Sequence, residues 1–129
     1  MHQALVPFFS RPRAALRVLA LLLACLCAAQ SAGAMTLREL KALQKSDRKQ
    51  GENYLRYYLV GAMEGVLEAQ AQAVRDGAKE SICLNGRRLE PAQAQTLYTT
   101  ELKRNAEIYE ADMPATLVLA NALRTVYPC

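Results

Sequence analysis

The sequence predicts an all-α fold, a small compact bundle of about four helices with one disulfide from a loop to the C-terminus. Three observations carry that expectation. After residue 34, apolar residues recur every three or four positions, the period of a single helix face. Glycine, proline and polar clusters punctuate these runs at helix-length intervals. Only two of the four cysteines, Cys83 and Cys129, lie beyond an N-terminal segment that does not read as domain.

That segment is residues 1–34. Arg11, Arg13 and Arg17 form a basic start without acidic residues, Val18 to Ala29 is uninterruptedly apolar, and Ala32-Gly33-Ala34 supplies a small-x-small ending. These are the three parts of a secretory signal, cleaved to leave Met35 first and a mature domain at 35–129. An apolar run of about 12 residues falls short of the roughly 20 needed to span a bilayer. A retained anchor or a buried N-terminal helix is the alternative. Leu22-Leu23-Ala24-Cys25 also resembles a lipoprotein box, which would lipidate Cys25, but Leu23 is unusual at its place and a better cleavage site follows.

Setting the signal aside changes the charge. All twelve acidic residues but only thirteen of the sixteen basic ones follow residue 34, so the mature net charge is +1. No clustered positive charge remains to mark a nucleic-acid or anionic-membrane partner. Cys83 and Cys129 form an even pair in a chain bound for an oxidising compartment. Closing the 46 positions between them stabilises a chain by roughly 4 kcal/mol in the loop-entropy view. Two free thiols or an intermolecular bridge are the other arrangements.

The elements follow in order. Thr36 and Glu39 have capping-box spacing ahead of a short helix, Leu37–Lys45. The polar run Ser46–Gly51 breaks it. A long helix spans about Glu52–Asp76, with Leu55, Leu59, Ala62, Val66, Ala69 and Ala73 on one face and Gly77 as its left-handed stop. Gly61 and Gly65 each cost helix propensity of about 1 kcal/mol, which predicts that a second helix crosses close there. Residues 77–90 form a loop with the turn signal Asn85-Gly86. Pro91 suits the first turn of a third helix, reaching about Arg104 with Ala94, Leu97 and Tyr98 inward. A polar stretch, Asn105–Met113, precedes the last helix, Ala115–Val126, for which Asp112 is the expected N-cap with Pro114 just inside. Ala115, Leu119, Ala122, Leu123 and Val126 form its apolar face.

The chemistry is sparse. The single histidine, His2, lies in the signal, which excludes Ser–His and Cys–His nucleophilic sites and His-based zinc sites from the mature domain. No phosphate-cradling loop or other cofactor motif is present, so neither a cofactor nor a metal is expected. Carboxylate pairs remain, Glu64 with Glu68 and the cluster Glu107, Glu110, Asp112, and solvated surface charge is the simpler account of both. Tyr54 and Tyr58 share a face that suits core or interface packing. An enzyme is not expected.

Tyr58 with Gly61 and Gly65, then Cys83-Leu84, Gln93–Leu102, and the closing Ala115, Leu117-Val118, Ala122-Leu123 and Tyr127-Pro128-Cys129 occur in one order. Over Tyr54 to Cys129 the chain resembles the Tai/Rap family of periplasmic immunity proteins against type VI secretion amidase toxins. The resemblance implies an all-helical domain, a loop-to-C-terminus disulfide, frequently a homodimer, and a function without catalysis: plugging the groove of a peptidoglycan amidase. It does not carry over toxin-contact residues. For those the sequence offers the stretch Glu107–Met113, in which Tyr109 would be an aromatic anchor between Glu107, Glu110 and Asp112. An ordinary solvated connection is the alternative for the same residues. A stress or chaperone-like periplasmic protein that exposes apolar surface in acid is the competing function.

Overall fold

The computed structural model describes residues 33–129. The export-signal reading, apart from its last two residues, and the lipidation alternative at Cys25 lie outside the described residues. Among the described residues four α-helices follow in chain order: α1 (Leu37–Ser46), α2 (Gly51–Arg75), α3 (Pro91–Arg104) and α4 (Ala115–Val126), with a 3-10 turn at Ala106–Ile108. The all-α expectation and the Cys83–Cys129 bond are both present.

Each helix begins or ends where local chemistry satisfies its orphan backbone groups. At α1 the Thr36 hydroxyl accepts the Glu39 N–H at 3.2 Å, and the Glu39 carboxylate accepts the Thr36 N–H at 2.8 Å. In the next turn the Asp47 carboxylate accepts the N–H groups of Lys49 and Gln50, which hold its pKa below the usual range. Gly51 opens α2 against α1, because any Cβ there would run into the Gln44 carbonyl. Gly77 (φ 94°) closes α2, donating to the Val74 carbonyl while Ala78 reaches back to Ala73. Asn85 (φ 52°) and Gly86 (φ 76°) are both left-handed, and the Arg87 N–H closes that turn on the Leu84 carbonyl. Pro91 starts α3, where its missing N–H costs nothing.

The start of α4 corrects the expectation. Pro114 is itself the N-cap, outside the helix, and Asp112 makes no cap bond. Met35 replaces the cap: its carbonyl accepts the Ala115 N–H at 2.9 Å, across an isolated antiparallel bridge between Thr36 and Pro114.

α2 packs on α1, α3 and α4, and α3 packs on α4. Leu40, Leu59, Val118, Leu119 and Leu123 are sealed at the centre, joined by Leu55, Met63, Ala94, Leu97, Tyr98 and Tyr127. Ile82 carries the 77–90 loop into this core, and the Gln70 side chain braces the loop by donating to the Ile82 carbonyl at 2.8 Å. Three expected core residues lie outside. Ala69 and Ala73 are exposed, lining an open depression between α2, the 77–90 loop and α4, and Val126 is 45% exposed on the final turn of α4. No helix among the described residues is long and apolar enough to cross a membrane.

Candidate functional site

The stretch between α3 and α4 is held from behind and from the side. Glu101, in the last turn of α3, is a carboxylate in the core, 4% exposed. Its Oε1 accepts the Asn105 side-chain amide at 2.8 Å and the Tyr109 hydroxyl at 2.7 Å, and that hydroxyl accepts in turn from Asn121 of α4 at 3.0 Å. Burial raises the Tyr109 pKa, the Asn121 bond opposes the rise, and Glu101 adds to it. From α1, Arg38 grips Asp112 with two hydrogen bonds, 2.9 and 3.2 Å. That hydrogen bonding, with the attached positive charge, holds the Asp112 carboxyl below its ordinary range. The backbone N–H groups of Leu37 and Arg38 donate to the carbonyls of Met113 and Ala111.

These bonds sort the expected contact residues. Tyr109 is partly buried and packs against the core rather than projecting as the expected aromatic anchor. Its hydroxyl satisfies a buried carboxylate instead. Asp112 is engaged with Arg38. Glu107 and Glu110 are exposed, and the apolar group that projects with them is Ile108, 54% exposed. Glu101 itself repeats the Ala94–Leu97/Tyr98 spacing of the buried stripe on α3, the one sequence signal that could have marked it.

A second surface lies on α2. Among the described residues, no atom comes within 4 Å of where a Cβ would stand on Gly61 or Gly65. No helix crosses there among the described residues. Both glycines instead line an open hollow of about 1320 Å³, walled by Met35, Leu43, Tyr58 and Val66. Tyr57 stands on the same hollow, 68% exposed. Tyr58 is half-buried and Tyr54 is exposed.

The remaining candidate chemistry resolves into surface and staple. Glu68 pairs with Arg75 at 2.8 Å in solvent and Glu64 is exposed, so they form no shielded carboxylate pair. Glu80 lies beside Cys83 and Cys129, but both sulfurs belong to the disulfide and offer no thiolate to a metal. The bond joins Cα atoms 4.9 Å apart, and the Cys83 N–H donates to the Tyr127 carbonyl at 2.8 Å, so covalent and backbone ties coincide.

A family model of the Rap1a immunity proteins matches residues 20–129. The chain belongs to this family. Rap1a immunity proteins are non-enzymatic, and an immunity protein has a toxin for its partner. Family and disulfide together point to a location outside the cytoplasm. No curated protein and no solved structure is significantly similar to the chain. For a Rap1a immunity protein the relevant geometry is that of its exposed surfaces, among them the braced 105–113 loop and the α2 hollow.

Proposed function

We propose that this chain is a periplasmic immunity protein that binds a type VI secretion peptidoglycan amidase and blocks its active-site groove, inserting the tip around Glu107, Ile108 and Glu110. One observation carries the assignment of the tip. The loop is pinned on three helices, by Glu101 from α3, Asn121 from α4 and Arg38 from α1, while an isoleucine and two carboxylates point outward. Loops ordered in advance lose little entropy on binding, and an apolar residue ringed by charge suits the centre and rim of an interface. Tyr109 then acts as the brace behind the tip.

The α2 hollow supports a homodimer in the same proposal. Tyr57 projects beside a depression opened by two missing side chains, one helical turn away on one face. Antiparallel crossing of two α2 helices would bring each ring toward the other copy's depression, the self-complementarity that a two-fold interface requires.

Periplasmic co-expression with the cognate amidase tests the function. Cells should survive only when the protein is present, and lysis regardless of its presence rejects immunity. Sedimentation tests the dimer: Gly61→Trp should yield monomer, and an unchanged dimer would rule out this face. Protection of client proteins only at low pH, without toxin rescue, would favour the chaperone-like alternative.

A further inference from the structure

Behind the braced loop, a cleft of about 390 Å³ runs between α3 and the end of α4. Leu97, Ala122 and Tyr127 are among its apolar lining residues, and Thr96, Thr100 and Glu101 are among its polar ones. The two oxygens of the Glu101 carboxylate differ. Oε1 accepts two hydrogen bonds, whereas no donor among the described residues bonds Oε2. Oε2 is not sealed either, because no fully buried side-chain oxygen lacks a partner among the described residues. The small exposed area left to Glu101 therefore belongs with the cleft it lines.

A carboxylate withdrawn from water is costly unless a cation or donors compensate it. Among the residues that line the cleft, the one cation is Arg104. It makes no ion pair with Glu101, since the salt bridges among the described residues are Arg38–Asp112 and Arg75–Glu68. Apolar walls leading to one under-coordinated carboxylate match a methylene stem ending in an ammonium, whose donors have no acceptor requirement of their own. A single carboxylate with hydroxyl neighbours is too few ligands for a divalent cation, which takes six or more oxygens.

We infer that the α3–α4 cleft binds an alkylammonium group, with Oε2 of Glu101 as its counter-ion and Leu97, Ala122 and Tyr127 around its stem. The inference is independent of the toxin assignment. The group can come from a lysine side chain of a protein partner or from a free aliphatic amine, and both share this chemistry.

The test uses the disulfide-bonded protein at neutral pH, titrated with n-butylamine and with n-butanol and followed by amide NMR shifts. The amine should bind with an affinity on the order of millimolar, as suits so small a ligand, with saturable shifts confined to Thr96–Arg104 and Ala122–Tyr127. Butanol should give none. Thr96→Trp, an exposed position that fills the cleft without removing the carboxylate, should abolish the shifts, as should Glu101→Gln. Arg104→Ala should tighten binding about threefold by removing a competing charge. Nα-acetyl-lysine N-methylamide separates the sources: if it binds as n-butylamine does, a protein lysine is the occupant, and if only the free amine binds, a small molecule is. Equal shifts with butanol, amine shifts centred on Glu107 and Glu110, or undiminished binding by Thr96→Trp would overturn the inference. The Thr96 variant decides even if Glu101→Gln does not fold.

Discussion

The Tyr109 hydroxyl donates to the Glu101 carboxylate at 2.7 Å, joining the exposed loop to a charge in the core. Tyr109→Phe keeps the ring and removes that donor. The carboxylate retains only Asn105 on Oε1, and Asn121 loses its acceptor. Leaving buried polar groups short costs about 1–3 kcal/mol, so urea unfolding should shift by that amount. Hydrogen exchange at residues 105–113 should accelerate more than exchange in α2. An unchanged midpoint and an unchanged loop would mean that the bond braces nothing.

Ile108 and Glu110 should behave in the opposite way. Both side chains are exposed. Ile108→Asp and Glu110→Lys should leave the melting temperature within about 2 °C, as surface substitutions generally do. Each should weaken binding of the cognate amidase by about tenfold or more if the tip enters its groove. Calorimetric titration of the two variants decides it, and wild-type affinity in both would remove the tip from the interface.

Reduction of Cys83–Cys129 should cost roughly 4 kcal/mol, the loop-closure value for 46 positions. The double variant Cys83→Ser with Cys129→Ser should match the reduced protein in urea. A chain equally stable with and without reductant would show that the Cys83–Tyr127 backbone bond and Ile82 suffice to hold the loop.

Acid and alkali should loosen different parts. Hydrogen bonds from the Thr36 backbone and hydroxyl lower the Glu39 pKa, and Arg38 lowers that of Asp112. Groups with depressed folded pKa values stabilise above their unfolded values, about 4, and lose that contribution as pH falls through the lower folded ones. Amide exchange at the start of α1 should therefore rise below about pH 4, and Asp112→Asn should blunt the effect. At the other extreme, burial, aided by Tyr58, pushes the Tyr98 hydroxyl up to about 12. A group raised above its unfolded value, about 10, stabilises fully below that value. Its contribution is lost as pH rises through 12. Tyrosinate absorbance should show a step near pH 12 that Tyr98→Phe removes, and no such step would place this ring in solvent.

What the sequence determined by itself is local. Helix periods, the Thr36–Glu39 box, the stop at Gly77, the Asn85-Gly86 turn and the Pro91 start depend on neighbours within about four residues, and all stand in the structure. The Cys83–Cys129 pairing was legible because only two cysteines follow the N-terminal segment that reads as an export signal. Tertiary structure decided the rest. Arg38 meets Asp112 across 74 positions, so Asp112 could be read only as a cap. Tyr109 turns inward and Ile108 outward because Glu101 lies buried beneath the loop, a contact that requires α3 and α4 to be packed first. Gly61 and Gly65 announce close approach in any helix, but only the assembled bundle shows that among the described residues no helix arrives there. Local backbone chemistry is written residue by residue, whereas a binding surface is whatever the packing of distant segments leaves uncovered.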